Sequence, residues 1–554
     1  MPAEFLRRRW AVCAICVIVV GAGAAVGARS GGAAAPAARQ SSKAIAQALL
    51  DHGRARFGTQ AVRRALEFTA GLPQSPGLQV GGPEGQARQR PATGGSVAPP
   101  PRLGLANVRV NDPSADHFQV DQTTQSETSL AVAGSNVAVG FNDSQQALLG
   151  FTDGLDFSGY AYSTNGGQSF TDGGALPNPL NFVNFGDPWL TSDRSGRMYY
   201  STLTFGGDVG NLEVAVAHST NGGKTWTEPT IASPNNDGVL YLGDKDAVTS
   251  GRDPQRAGRD NVYVAWDDFA FDPANNSQVA GLPLARSTDG GTTWSLHYAD
   301  KITIGNDPKS CSFGQYIGAQ PLVDPATGTL YLAAEKIVVD DPHCIGTMPV
   351  FSEVIFKSSD AGTTFDHGTT VASVTSASPV GALELGPGLF VRTIEFPVLA
   401  MRAGTLWLAW NDGGTGRSHI RLATSTDNGA TWGLSSVTNG SGDEIQPAIS
   451  VDSAGLHIAY YQRNANNTLD TVVADSTDNG VHFAAKTITS RSFPGVRTVP
   501  QFDPLIGFGY MGDYISVVSS AGRQYFAWGD NRDRITNFTH PNGRNDPDVF
   551  FARR

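Results

Sequence analysis

The chain has 554 residues, with 65 glycines, 32 prolines and a formal net charge of −11, room for several ordinary domains or for one large repeat domain with extensions. The charge is unevenly spread: residues 1–100 hold 12 Lys/Arg against 4 Asp/Glu, and the remaining 28 against 47 leave residues 101–554 at −19. An acidic main domain argues against nucleic acid as its ligand, since a phosphate-binding face needs clustered positive charge. GxSxG, HExxH, GxxxxGK and zinc-spaced His/Cys clusters are also missing from the sequence.

Residues 1–28 open with Arg7-Arg8-Arg9, continue through an apolar run over 10–26 and reach Val26-Gly27-Ala28, the layout of a secretory signal peptide. The run is also near the lower length limit for an uncleaved membrane anchor, so both readings stay open; either makes the protein secreted or cell-surface, with any membrane contact through this segment alone. Cys13 and Cys16 lie inside the run and read as small hydrophobes. Residues 29–100 divide into a basic amphipathic helix over 41–70 and a Gly/Pro-rich linker from 71.

From 101 onward the pattern is all-β. A short apolar strand, a polar turn and a second apolar strand recur, first at 129–133 with 137–141, then at 188–191 with 198–203 and onward to 514–518 with 524–528, making seven such pairs. After each of the first six, a third strand leads into a Ser-x-Asp/Asn-x-Gly turn that ends on an aromatic, with the acidic or amide residue at Asn165, Asn221, Asp289, Asp360, Asp427 and Asp478. In such a turn the Asp or Asn side chain bonds nearby amides, Gly supplies backbone angles that other residues resist, and the aromatic anchors the hairpin.

These six turns resemble the Asp-box, or BNR repeat, of the sialidase-like β-propellers. The resemblance implies a propeller over 101–554, with strands in the order one, two, three, Asp-box turn, four within each blade. Seven inner pairs against six turns predict seven blades, with six as the alternative, the last blade being closed by strand 107–110 lying beside 548–552. In that family the Asp-box face lies opposite the ligand face.

For a sialidase the resemblance implies three arginines on the substrate carboxylate, a Tyr nucleophile assisted by Glu and an Asp acid/base. The candidates on ligand-face segments are Arg392, Arg463, Arg497 and Arg532 for substrate binding, and Tyr510 with Glu444 or Glu395 for catalysis. Two features depart from the pattern: no Arg-Ile-Pro precedes the first turn, and the predicted blade count is seven where true sialidases have six. Asp187, Asp244 and Asp513 open inner strands as a ring of carboxylates, suited either to calcium or to repeated turn chemistry, and no cofactor is required. Cys311 and Cys344, the pair left after processing, read as one disulfide in an exported protein. The expected function is an exported sialidase-like glycoside hydrolase acting on extracellular glycans as a monomer; the alternative is a non-catalytic propeller that binds glycans or proteins.

Overall fold

Runs rich in Val, Ile, Tyr and Trp, broken by Gly and Asp turns, become antiparallel strands throughout the computed structural model. It describes residues 99–554 apart from 116–123, 145–155, 180–181, 207–210, 234–238, 273–276, 305–309, 311, 344, 379–381, 387–388, 441, 498–510 and 537–540. The predicted leader, helix and most of the linker, together with Tyr510, Cys311 and Cys344, therefore lie outside the described residues. Among those described, helix is confined to a single turn of 3-10 geometry, Pro113–Ala115.

The strands pair in chain order into antiparallel units. Gln125–Ala133, Asn136–Asp143, Ser158–Ser163 and Thr171–Ala175 form one, and a neighbouring unit begins with Phe182–Ser192. Later units begin with Leu240–Arg252, Phe313–Val323, Val398–Arg402, Glu444–Val451 and Ser516–Ser520. Each of these first strands packs on the first strand of the next unit, and Ser516–Ser520 packs back on Gln125–Ala133, so the first strands form a closed ring. The outer strand of the last unit comes from the other end of the chain: Val108 pairs with Phe551 and Arg109 with Phe550, the closure expected from the sequence. That pairing covers an edge which would otherwise expose unpaired amides and carbonyls.

Apolar residues fill the spaces between units. Tyr199, Val214 and Val216 of one unit meet Val248, Val264 and Trp266 of the next in a buried cluster, and equivalent layers recur around the ring.

The six repeat turns share one set of hydrogen bonds. Ser287 Oγ donates to Asp289 Oδ1 at 2.8 Å, Gly291 N donates to Ser287 Oγ at 2.8 Å and Thr293 N to Asp289 Oδ1 at 2.9 Å. Copies with Asn165, Asn221, Asp360, Asp427 and Asp478 repeat it, which is the turn lock expected from these residue types. Glycine is obligatory in the first copy for two reasons: Gly167 has φ +82°, and an added Cβ would sit 2.1 Å from the Phe551 ring of the closing unit.

One element was not foreseen. Ala382–Gly386 and Leu389–Arg392 form a hairpin in the insertion before Val398, and Leu389 and Phe390 pair with Arg497 and Val496 from a later insertion. Leu383, Leu385 and Val391 are buried against Ile445, Tyr461 and Phe493, so this small sheet caps the unit that starts at Glu444.

Candidate functional site at the ring axis

The inner strands are not regular. Their registers shift between Ser126 and Ser129, Gly186 and Trp189, Asp244 and Ala247, Ile317 and Gln320, and Ile445 and Ala448, so β-bulges recur at matching positions. At these bulges Glu127 (φ 55°), Asp187 (φ 55°), Lys245 (φ 35°) and Gln446 (φ 53°) take left-handed backbone conformations, and Gly318 does so at the fifth. Each non-glycine residue there costs on the order of 1–3 kcal/mol, which the packed strands around it must offset. The strain serves to aim polar side chains from separate units at one another.

They meet in a connected set. Glu127 Oε2 accepts from Asn142 Nδ2 at 2.7 Å, and Glu127 Oε1 accepts from the Asp513 amide at 3.1 Å. Asn142 Oδ1 in turn accepts from the Asp187 amide at 2.8 Å, and the Asp187 carboxyl is hydrogen-bonded to Glu127. Arg392 clamps Asp513 with both arms, Nε to Oδ1 at 2.5 Å and Nη2 to Oδ2 at 2.8 Å. Gln446 Nε2 ties the two chains of that pair together by donating to Arg392 O and Gly512 O at 3.0 and 2.8 Å. Lys245 Nζ lies 4.0 Å from the Trp189 ring centroid and 4.4 Å from that of Tyr514, whose hydroxyl donates to Pro188 O at 2.9 Å. Trp189, Lys245, Gln446, Asp513 and Tyr514 of this set line a free space of about 10 Å³, enough for roughly one water.

Burial governs the charge state here. It pushes the Asp187 carboxyl well above the usual carboxylate range; Glu127 and Asp513 add to the rise, and Lys245 only partly opposes it. Burial likewise lowers the Lys245 ammonium against the pull of Asp246 and Asp187. Burial thus favours the neutral form of Asp187, which is held beside the Asp513 carboxyl that Arg392 pairs.

Of the expected substrate arginines, Arg463 and Arg532 are held by acids of their own rather than beside Arg392. Arg463, 1% exposed, binds Asp443 Oδ2 at 3.1 Å, Asn467 Oδ1 at 2.7 Å and Leu385 O of the cap at 3.2 Å. Arg532 binds Asp530 Oδ2 at 2.5 Å and Asn107 Oδ1 at 2.9 Å and lies over Phe550. Arg497 supplies backbone pairing to the cap hairpin. Arg463 and Arg532 staple inserted segments to the ring, whereas Arg392 reaches the axis.

Nor do the two candidate glutamates share one hydrogen-bond set. Glu444 accepts from Thr438 Oγ1 at 3.0 Å and pairs with His419 Nδ1 at 2.6 Å. Glu395 is pushed up to about 8, first by burial, although the Ala377 amide at 2.7 Å and Ser376 stabilise its anion. It lies in the electrostatic reach of Glu335 and Glu353, which face each other across adjacent strands, fully buried and with carboxyl oxygens that lack hydrogen-bond partners.

Of the expected carboxylate ring, Asp187 and Asp513 do come together, whereas Asp244 turns back to accept from the Lys245 amide at 3.0 Å. The three form no ligand set: among the described residues no group of three or more His, Cys, Asp or Glu is arranged to hold a metal ion. Sequence reasoning missed Glu127, Lys245, Trp189 and Gln446. Aligning the inner strands brings Glu127, Lys245 and Gln446 into line with Asp187, because each stands three residues before an aliphatic residue of its strand, Leu130, Val248, Ile449 and Leu190.

The closed ring of antiparallel units with Ser-x-Asp-x-Gly turns defines the class as a β-propeller built on BNR-type repeats. A family model described as a BNR repeat-like domain matches residues 318–499, which supports the sialidase-like class that the six turns had suggested. The chain is similar to a xyloglucanase of Hypocrea jecorina (strain QM6a), 25% identical over 306 residues, which is 54% of this chain and 30% of that protein. The match thus spans less than a third of the relative's length. Among solved structures it is similar to the endosialidase of phage phi92 (11% identity, 81% of this chain and 69% of that one, TM-score 0.41). An α-L-arabinofuranosidase of Fusarium graminearum gives 14% identity over 68% and 98% of the two chains, TM-score 0.41. The NanB sialidase of Streptococcus pneumoniae gives 12% over 76% and 83%, TM-score 0.36.

Proposed function

We propose that this protein is an exported glycoside hydrolase of the sialidase-like class, acting on extracellular glycans with Asp187 as proton donor and the Arg392-paired Asp513 as its ionised partner. The observation that carries this reading is the split between two neighbouring carboxyls, one in buried surroundings that favour its neutral form and the other clamped by a guanidinium. Glycoside hydrolysis needs such a pair, an acid for the departing oxygen and a carboxylate for the sugar cation or the attacking water. Glu127 acts by holding the Asp187 proton in place, and Trp189 and Tyr514 wall the site. This chemistry needs no cofactor, and an unchanged melting temperature in chelator is the expected outcome.

The propeller in this reading has seven blades, supported by the ring of first strands and by the closure of 108–109 on the last strand. Export is supported by the apolar run behind Arg7-Arg8-Arg9, and a Cys311–Cys344 disulfide suits the oxidising compartment it implies. Alkylation of both thiols without reduction would remove that bridge.

The narrowness of the axial space favours a second reading, a non-catalytic propeller that binds a glycan above the axis. A panel of chromogenic glycosides separates the two. Turnover abolished by Asp187→Asn supports the hydrolase; binding without turnover across the panel supports the second reading and sinks the first.

A further inference from the structure

We infer that the axial site takes an uncharged glycan and excludes sialic acids and other anionic sugars, an inference that rests on the axis being the glycan site proposed above. Gripping a sugar carboxylate requires a guanidinium or ammonium with donors to spare. The two described cations at the axis, Arg392 and Lys245, are already engaged. Arg392 spends both arms of its fork on Asp513, at 2.5 and 2.8 Å. Lys245 is 3% exposed, turned onto Trp189 and Tyr514, with Nζ donating to Asp246 O at 3.2 Å. Arg463 and Arg532 are likewise committed, to Asp443 and to Asp530.

The carboxyls outnumber these cations. Asp187 feels Glu127 and Asp513 directly, and Lys245 is surrounded by Asp246, Asp187, Asp267 and Glu127. The domain as a whole, residues 101–554, carries −19. An ionised sugar entering this site meets the Asp513 carboxyl and further acids while Arg392 and Lys245 are already engaged, so its charge finds no ready partner. Its charge would also have to coexist with Asp513, which already holds the Arg392 guanidinium. A neutral sugar meets no such penalty, and the axis offers it acceptors in Glu127 and Asp513.

The test uses the full chain and matched sugars that differ by one carboxylate: glucoside against glucuronide, galactoside against galacturonide, and lactose against sialyllactose. Binding by calorimetry and release of a chromogenic leaving group are both read. The neutral member of each pair is expected to be favoured about tenfold or more at low salt. The gap should narrow as added NaCl screens the field, and Glu127→Gln, read by binding with its melting temperature as a fold control, should narrow it further. Equal or tighter binding of the anionic members, or sialyllactose binding that is lost in Arg497→Ala, would overturn the inference while leaving the glycan site standing. Failure of every sugar to bind would instead bring down the proposed function and this inference with it.

Discussion

The aspartates of the repeat turns and those of the ring axis are the same residue under opposite physics. In the turns, Asp289 loses some hydration on burial, but hydrogen bonds from Thr293, Ser287 and Thr292 outweigh that loss and bring its carboxyl down to about 2. Asp427, with the same partners from Thr431 and Ser425, is also lowered to about 2. At the axis and in the layer beside it other carboxyls are near, so Asp187 is driven upward by burial and then by Glu127 and Asp513, and Glu335 and Glu353 by burial and then by Glu395. Turn carboxylates are satisfied and structural. The raised carboxyls are held in surroundings that favour their neutral form, the usual mark of a candidate working site.

The comparison breaks first at Asp187. We predict that Asp187→Asn lowers turnover on an accepted glycoside by about 10²–10⁴-fold while the melting temperature holds or rises, because the amide removes a buried ionisable group. Full activity in the folded variant would return Asp187 to a structural role.

The next effect is on the turns. Gly167→Ala forces a side chain into left-handed backbone and against Phe551, where the added carbon would lie at 2.1 Å. A loss of about 2–4 kcal/mol is expected in urea denaturation, from strain and overpacking combined. A loss below about 0.5 kcal/mol would show that the turn and the closing unit move apart freely.

Stability against pH sharpens the contrast. A carboxyl raised in the folded state ionises first in the unfolded chain, so the unfolded state binds fewer protons and stability falls as pH rises. With Glu395 at about 8, that fall should run from about pH 4 to about pH 8 and then level off. The turn aspartates work the other way: their contribution is present above about pH 4 and fades as pH drops toward 2. Melting temperatures across this range should therefore decline toward the alkaline side, and the paired Glu335→Gln and Glu353→Gln substitutions should flatten that decline. A profile that rises from pH 5 to 8 in the unsubstituted protein would contradict the buried-acid account.

The smallest effect is expected at Asp289→Ala, which removes hydrogen bonds to the Thr292 and Thr293 amides at an exposed hairpin. About 1 kcal/mol of stability should be lost, with glycoside turnover unchanged. A fall in turnover would show that the turns couple to the site.

The architecture was largely legible because its signals are local. Ser287, Asp289, Gly291 and Thr293 bond one another within a single hairpin, so their spacing alone describes the turn. The alternation that marks each strand pair is equally local, and even the closing strand could be inferred from a unit left one strand short. The cap sheet was illegible, since Leu389 and Arg497 pair across more than a hundred residues with no pattern to announce it.

The arginines show the same boundary from the other side. Their residue type and their place on late loops suggested a carboxylate clamp, yet Arg463 and Arg532 are each neutralised by an acid of their own unit. By itself, then, the sequence determined the repeat, the turn chemistry and the sign of the main domain's charge, all of which follow from neighbours along the chain. Only the tertiary structure decided which carboxyls are raised and which cations are engaged, because Glu127, Asp187, Lys245, Arg392, Gln446 and Asp513 become neighbours only when the ring closes, and burial there shifts Asp187 and Lys245 toward their neutral forms.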